Sequence, residues 1–80
     1  MELEEQLRKH LAQRIFPGSD PDRLGLDDDL LELIDSIELI RVVAHIERTY
    51  GIEVADHDMH PQNLSSARKM ADMIRRAQRR

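Results

Sequence analysis

The first apolar pattern along the chain is a stripe of large aliphatic residues, one at every fourth position. Its members are Leu3, Leu7, Leu11 and Ile15. This spacing places them on one face of an α-helix, and Pro17-Gly18 ends that helix. Glu4 and Arg8 form a favourable i,i+4 pair, which we expect on the exposed side. An amphipathic first helix is therefore predicted.

A second helix is predicted to begin at Asp35 or Ser36 and to end near Tyr50. Asp35 is a favourable N-cap residue, and Glu38 three positions later completes a variant of the capping box. Gly51 supplies a natural C-cap, because glycine adopts the left-handed conformation without strain. The serine thus lies where an acidic, leucine-rich loop enters a helix.

The two faces of this second helix differ in polarity when its side chains are placed at about 100° per residue. The arc predicted to be core contains Leu39, Ile40, Val43, Ile46 and Tyr50, with Val42 at its edge. The opposite side carries one stripe of i, i+4, i+7 and i+11 spacing, which consists of Ile37, Arg41, Ala44 and Arg48. Ile37 is therefore an apolar side chain that we predict to be exposed, directly beside Ser36.

A long connection, residues 16–34, separates these two helices. It is rich in Pro, Gly and Asp. Its aliphatic residues are Leu24, Leu26, Leu30, Leu31, Leu33 and Ile34. Loops of this length in a small domain are usually functional or packed by their own side chains. We expect this one to pack on the bundle, with a short helical turn near Asp28 to Leu33.

The last third of the chain holds two further helical segments. Residues 55–64 are predicted to contain a short helical turn, with Pro61 in the link that follows. Ser65 or Ser66 caps a last helix. The apolar residues of this helix, at helical spacing, are Ala67, Met70, Ala71, Ile74 and Ala77. The predicted fold class is all-α, a small bundle of three main helices plus one short helix, with a long loop between helices 1 and 2.

The composition limits what this domain can do. The 80 residues allow one domain, spanning residues 1–80, and its basic end at residues 75–80 is expected to fray. Only Phe16 and Tyr50 are aromatic, so the chain lacks the side chains that usually line a buried catalytic pocket. It has no cysteine, which excludes a disulfide framework and a thiolate metal site.

The targeting signals of secreted and membrane proteins are missing from the sequence. No basic region precedes an apolar run at the N-terminus, so we expect no signal peptide. No apolar stretch is long enough to span a bilayer, and we expect no membrane association. We therefore predict a cytoplasmic protein, and we expect it to be a monomer.

The net charge of -4 is distributed unevenly. Residues 20–58 hold twelve acidic and three basic side chains, whereas residues 59–80 hold one acidic and six basic side chains. The acidic middle of the chain attracts basic partner surfaces and repels nucleic acid. The basic end is interpreted as a solvated helix terminus, where cations suit the helix dipole.

Ser36 lacks the neighbours that a catalytic nucleophile needs. Such a serine requires a base within hydrogen-bond reach and a group that orients this base. No motif ties any of the four histidines to Ser36, and the chain has no Gly-x-Ser-x-Gly elbow. The group Asp56, His57, Asp58 and His60 fits no established zinc spacing. We therefore predict no catalytic residue and no metal site.

The chain as a whole resembles the acyl carrier protein family, also called the phosphopantetheine-binding carriers. The resemblance covers the acidic loop, the Asp35-Ser36-Ile37 motif and a helix that closes on Tyr50-Gly51-Ile52-Glu53-Val54. It continues with Asn63-Leu64-Ser65-Ser66 before a final helix. In such a protein, a serine at a helix start without a base is a residue that another enzyme modifies.

The resemblance implies that Ser36 receives 4′-phosphopantetheine from coenzyme A through a phosphopantetheinyl transferase. The arm would hold an acyl or aminoacyl group as a thioester, and the chain itself would be no enzyme. An acyl- or amino acid-activating ligase would load this cargo, and a downstream acyltransferase or synthase would receive it. The residues expected to dock these partners are Asp35, Ile37, Glu38, Arg41, Ala44 and Arg48.

Two departures from the family pattern bear on conformation and on partner choice. Many carriers have Gly just before the Asp-Ser pair, where this chain has Leu33-Ile34, so the backbone there is an open question. Carriers of fatty acid synthesis tend to have an acidic second helix, whereas Arg41 and Arg48 interrupt that surface here. Because electrostatic complementarity selects partners, we expect a specialised rather than a housekeeping fatty acid pathway.

Two alternatives remain open at this point. The first is an aminoacyl or peptidyl carrier that works beside an adenylating ligase. The second belongs to a different class, a small helical interaction domain without a prosthetic group, in which Asp35-Ser36 only caps a helix. Modification of Ser36 separates this second alternative from a carrier.

Overall fold

The computed structural model describes residues 2–79. In chain order, its α-helices are α1 (Glu2–Ile15), α2 (Leu30–Leu33), α3 (Ser36–Tyr50), α4 (Pro61–Leu64) and α5 (Ala67–Gln78). Two 3-10 turns, Pro21–Arg23 and Asp56–Asp58, lie in the connections. No strand occurs between residues 2 and 79, and the predicted all-α bundle with three main helices is confirmed.

The core is aliphatic, and both the long helices and the connections contribute to it. The largest fully buried side chains are Leu7, Leu11, Leu24, Leu30, Val42, Ile46, Met70, Met73 and Ile74. The predicted stripe of the first helix is confirmed, since its two central leucines are buried and its end members, Leu3 and Ile15, pack against the core.

The core face of α3 lies further round the helix than predicted. Val42 is 1% exposed and Ile46 is fully buried, whereas Ile40 is 60% exposed. The prediction that Ile40 belongs to the core, with Val42 only at its edge, is therefore wrong. Ile40 lies about 120° from Ile46 around the helix, and the neighbouring elements cover only the arc centred on Ile46.

The long connection between α1 and α2 is anchored by the guanidinium group of Arg8, which is buried. This group donates to the Pro21 carbonyl at 2.6 Å and to the Leu24 carbonyl at 3.1 Å. It also pairs with the carboxylates of Glu5 and Asp22. Two backbone oxygens of the loop thus gain a charged hydrogen-bond donor inside the protein.

Glu4 and Arg8 do not form the exposed i,i+4 pair that the spacing predicts, because both side chains are buried and have other partners. The two oxygens of Glu4 accept hydrogen bonds from Arg75 of α5 at 2.6 and 2.7 Å. This contact lowers the pKa of Glu4 to about 2. It therefore contributes to stability above the ordinary glutamate pKa of 4.5, and the contribution is lost as the pH falls toward 2.

The basic C-terminal end is helical over most of its described length. α5 continues past Arg75 to Gln78. Arg80 lies outside the described residues, and the fraying expected for residues 75–80 stays a prediction.

Backbone hydrogen bonds tie the second half of the long connection to the corner between α4 and α5. The N–H of Leu30 donates to the Ser65 carbonyl at 2.8 Å, and the N–H of Arg68 donates to the Leu26 carbonyl at 3.1 Å. The Arg68 side chain also holds Asp27 through two contacts of 2.8 and 3.2 Å. The part of the loop that leads into α2 is therefore attached to the last helix.

The predicted packing of the leucines in this connection is confirmed only in part. Leu24 and Leu30 are fully buried, and Leu26 packs against the core. Leu31 and Leu33 are 41% and 40% exposed, so the expectation that they pack on the bundle is wrong. The helical turn expected here is present as α2, but a single turn presents only one side to the bundle.

The segment predicted to be a link before the last helix is α4 instead. Pro61 occupies its first position, where the missing N–H costs no helical hydrogen bond. The Nδ1 atom of His60 accepts from the N–H of Gln62 at 3.2 Å. Ser66 is the N-cap of α5, because its hydroxyl group accepts from the N–H of Lys69 at 3.2 Å. This hydrogen bond identifies Ser66, rather than Ser65, as the cap of the last helix.

Polar side chains line the contact between α1 and α3. The rings of His10 and His45 stack with their centroids 3.6 Å apart and an interplanar angle of 7°. The Nε2 atom of His10 is buried and has no hydrogen-bond partner within residues 2–79. Burial lowers the pKa of His10 below 6.5, and the charges of His45 and Arg14 act in the same direction, against an opposing effect of Glu38. His10 is therefore neutral near pH 7.

Replacing Leu24 by alanine should lower the free energy of unfolding by about 3 kcal/mol, because the change removes a buried side chain and leaves a cavity. Leu31→Ala is a matched change at an exposed leucine of the same connection and should cost less than about 1 kcal/mol. Urea unfolding followed by circular dichroism measures both values. Equal losses in the two variants would contradict the difference in burial.

The burial of His10 against the ring of His45 predicts that the protein is less stable at about pH 5.5 than at about pH 7.5. The folded state binds the His10 proton less readily than the unfolded chain does. The free energy of unfolding is therefore highest above pH 6.5, and it decreases as the pH falls below this value. His10→Phe keeps an aromatic ring against His45 but does not titrate, so its stability should fall less over this interval. Urea unfolding at both pH values measures the difference, and an equally steep fall in the variant counts against this explanation.

Candidate functional site

Ser36 is the first residue of α3, and its side chain is exposed. No other group within residues 2–79 makes a hydrogen bond to its hydroxyl. An incoming enzyme can therefore reach this hydroxyl, and no base of the described chain is placed to activate it. The predicted start of the second helix at the Asp35-Ser36 pair is confirmed.

Asp35 is the N-cap of α3. Its carboxylate accepts from the backbone N–H of Glu38 at 2.8 Å. The N–H groups of Ser36 and Ile37 belong to the first turn and have no partner within the helix. Together with the positive end of the helix dipole, these groups make the start of α3 favourable for negative charge.

Glu38 does not close the predicted capping box. Its carboxylate instead pairs with Arg14 of α1, and Arg41 approaches it at 3.7 Å. The hydrogen bond from Arg14 lowers the pKa of Glu38, and the charges of Arg14 and Arg41 act in the same direction, whereas Asp35 opposes them. Glu38 is thus an ionised carboxylate between two arginines, and they compensate its negative charge near the serine.

The backbone before the serine does not require glycine. Leu33 is the last residue of α2, and Ile34 is extended, with φ of -132° and ψ of 154°. The N–H of Ile34 donates to the Leu30 carbonyl at 3.0 Å. Any residue with a side chain adopts these angles. The Leu33-Ile34 pair therefore occupies the place of the family's Gly without strain.

The side of α3 that points away from the bundle is called the outer face below, and it consists of Ile37, Ile40, Arg41, Ala44 and Arg48. Four of these residues form the predicted stripe, three of them exposed and Ala44 partly buried. The predicted exposure of Ile37 is confirmed at 63%. Asp35 caps the start of α3, and Glu38 lies in its first turn with its side chain toward Arg14 of α1. The predicted docking residues therefore all belong to this helix and its N-cap, but only the four residues of the stripe share the outer face.

Two residues near the serine are not found by the sequence pattern. Ile40 is exposed one turn after Ser36, although the periodicity places it in the core. A helical wheel centred on Ile46 is the signal that would have placed Ile40 outside. Arg14 reaches Glu38 from another helix, and no spacing along the chain relates these two residues.

A surface groove lies at the other end of α3. Its volume is about 500 Å³, and its lining consists of Tyr50, Gly51, Ile52, Glu53, Ala55, Ala77 and Gln78. Tyr50 is the last residue of the 15-residue helix that Ser36 begins, which places the two about 21 Å apart. The groove is therefore not part of the serine site.

Two of the acidic and histidine residues between α3 and α4, Asp58 and His60, take part in the local structure. Asp56–Asp58 form a 3-10 turn in which Asp58 is buried, and His60 caps α4. Within residues 2–79 no group of three or more such side chains is arranged to hold a metal ion.

Over the same part of the chain, no helix combines the length and the apolar character that crossing a bilayer requires.

Residues 5–74 match the protein family described as the phosphopantetheine attachment site. The match covers most of the chain, including the long connection and the whole of α3, and the chain therefore belongs to this family. The resemblance to acyl carrier proteins is thereby confirmed. No curated protein matches the chain significantly.

Domains of this family hold 4′-phosphopantetheine through a covalent bond. They interact with a phosphopantetheinyl transferase and with partner enzymes, and they are not catalytic themselves. The start of α3 fits such a group, because it combines a free hydroxyl with a helix end that favours an anion.

Proposed function

We propose that Ser36 carries the 4′-phosphopantetheine arm and that the chain presents an acyl or aminoacyl group to partner enzymes. The observation that supports this proposal best is the exposed, unbonded hydroxyl of Ser36 at the start of α3, within the matched residues 5–74. The arm supplies a terminal thiol that holds the cargo as a thioester. The transferase brings the base that the described chain does not provide.

The surroundings of Ser36 favour a phosphodiester at this position. The unpaired N–H groups of the first turn and the helix dipole attract an anion. The two nearby carboxylates are engaged, since Asp35 caps the helix and Glu38 pairs with Arg14. They therefore oppose the added charge less than two free carboxylates would. A flexible arm then raises the local concentration of cargo at a docked enzyme.

We propose that partner enzymes dock on the side of α3 that begins at the serine. The docking residues are Asp35, Ile37, Glu38, Arg41, Ala44 and Arg48. Arg41 and Arg48 place positive charge on this surface, which disfavours partners with basic contact surfaces. This charge supports a specialised pathway rather than housekeeping fatty acid synthesis, and we place this pathway in the cytoplasm. The enzyme that we propose to load the arm is an acyl- or amino acid-activating ligase. An aminoacyl or peptidyl carrier beside an adenylating ligase is the second candidate within this class.

Incubation with coenzyme A, magnesium and a broad-specificity phosphopantetheinyl transferase should add one phosphopantetheine unit to the protein, and intact mass measures this gain. Ser36→Ala should gain nothing, because the accepting oxygen is absent. Ser19→Ala, the same change at another exposed serine, should be modified like the wild type. A wild-type chain that stays unmodified leaves the helical interaction domain without a prosthetic group as the better explanation. A gain that persists in Ser36→Ala contradicts the assignment of Ser36 as the attachment site.

Arg41→Glu should weaken loading by the native ligase, or transfer to the native acceptor, about tenfold in kcat/KM, because it reverses a charge on the docking surface. Arg79→Glu makes the same charge change at the end of α5 and should leave both rates unchanged. Thermal unfolding of the two variants checks that the fold is kept. Unchanged loading and transfer rates in Arg41→Glu would mean that partners dock elsewhere.

A further inference from the structure

The carboxylate of Glu38 has two competing partners at the start of α3. It stands three positions after the N-cap Asp35, and a glutamate in this position can reach back to the N–H of the N-cap residue and close a capping box. The structure shows the other arrangement, in which Arg14 of α1 binds the carboxylate. The N–H of Asp35 has no hydrogen-bond acceptor within residues 2–79. The choice of partner therefore decides whether a negative charge lies at the helix start beside Ser36.

Arg14 is the cation that holds Glu38 in its observed place. It lies in the last turn of α1, and its guanidinium group donates to the Glu38 carboxylate. The Arg14 and Glu38 side chains are 37% and 23% exposed, so this pair is partly shielded from water. Arg41 approaches the same carboxylate only at 3.7 Å, and its side chain is 66% exposed. An exposed pair of this kind contributes little.

The two arrangements of Glu38 differ in their effect on an anion at Ser36. In a capping box, the carboxylate would lie at the positive end of the α3 dipole and would occupy one of its free N–H groups. Beside Arg14, the carboxylate lies in the contact between α1 and α3, and its charge is compensated. Ser36 and Glu38 point about 160° apart around the helix. The carboxylate is thus held on the side of α3 away from the serine.

We propose that Arg14 is a positioning residue for the phosphopantetheine arm. By holding Glu38 against α1, it keeps the N–H groups at the start of α3 free for the phosphodiester that modification adds to Ser36. This inference rests on the carrier function proposed above. It extends the site to a residue of another helix, which acts on the arm through Glu38.

The coupling between this ion pair and the arm acts in both directions. If the pair of Arg14 and Glu38 favours the phosphodiester, the phosphodiester favours the pair by the same free energy. The reason is that a return of Glu38 to the helix start would place two negative charges side by side. Attachment of the arm should therefore strengthen the contact between α1 and α3, where the rings of His10 and His45 also stack.

Thermal unfolding of the apo and the holo form of each variant measures this coupling. An excess of transferase prepares the holo forms, and intact mass checks that modification is complete, so the rate of modification does not enter. Arg14→Gln should lower the Tm of the holo form by about 3 °C more than that of the apo form. The freed Glu38 carboxylate then closes the capping box beside the phosphodiester.

Two control variants separate positioning from a purely structural role. Arg14→Gln combined with Glu38→Gln should restore the wild-type difference between holo and apo Tm, because glutamine closes a capping box without a charge. Arg68→Gln makes the same change in the ion pair with Asp27 and should lower the Tm of both forms equally. Equal losses in the apo and holo forms of Arg14→Gln would show that Arg14 only stabilises the fold, and would overturn the inference.

Salt gives a second measurement. Because the effect is electrostatic, the additional loss in holo Arg14→Gln should be smaller at about 500 mM than at about 50 mM salt. A loss that salt does not change contradicts the inference. If Arg14→Gln does not fold, Glu38→Gln alone provides the test. It should raise the Tm of the holo form relative to the apo form, because the charge of Arg14 is then no longer compensated, and an unchanged difference counts against the inference.

The proposed function and this inference fail in different ways. A wild-type chain that no transferase modifies would overturn the carrier function, and the role of Arg14 with it. Complete modification of the wild type, together with equal losses of Tm in the apo and holo forms of Arg14→Gln, would overturn the role of Arg14 alone.

Discussion

The buried guanidinium group of Arg8 determines where the long connection between α1 and α2 runs. It donates to the carbonyl groups of Pro21 and Leu24 and pairs with Asp22. A chain of 80 residues with two aromatic side chains has few large groups with which to hold a loop by packing alone. A charged donor supplies this anchoring instead. It also allows Leu24 to enter the core, because the backbone oxygen that accompanies this side chain is hydrogen-bonded.

The exposure of the serine depends on this anchored loop. Backbone hydrogen bonds from Leu30 and to Leu26 attach the far end of the loop to the corner before α5. The chain then makes one helical turn, extends through Ile34 and begins α3 at the Asp35 cap. A carrier domain needs no pocket around its serine, since its partner enzymes supply the chemistry. The fold has to keep one hydroxyl group accessible at a defined position. The hydrogen bonds that anchor the loop fix this position, although they lie away from the hydroxyl group itself.

The surface on which we propose that partners dock also depends on contacts between α3 and the rest of the bundle. The bundle covers the side of α3 centred on Ile46, and Ile40 is left in solvent as a consequence. Arg14 of α1 takes the carboxylate of Glu38, which leaves the two arginines of the outer face as its dominant charges. The polarity and the charge around the serine are therefore properties of the packed bundle as much as of the helix that carries it.

The sequence by itself determined the three long helices, the caps at Asp35 and Gly51, and the serine at a helix start, because each depends on residues within about one helical turn. Spacing alone could not decide whether Ile40 or Val42 faces the core, since the apolar arc of α3 is wider than the part that its neighbours cover. Spacing also misplaced Glu4 and Arg8, because it takes account only of the i,i+4 pair within the helix and not of partners from other parts of the chain. Only the tertiary structure paired Glu4 with Arg75, 71 residues away. Such pairing between distant groups depends on a partly dehydrated environment that exists only after the helices have packed.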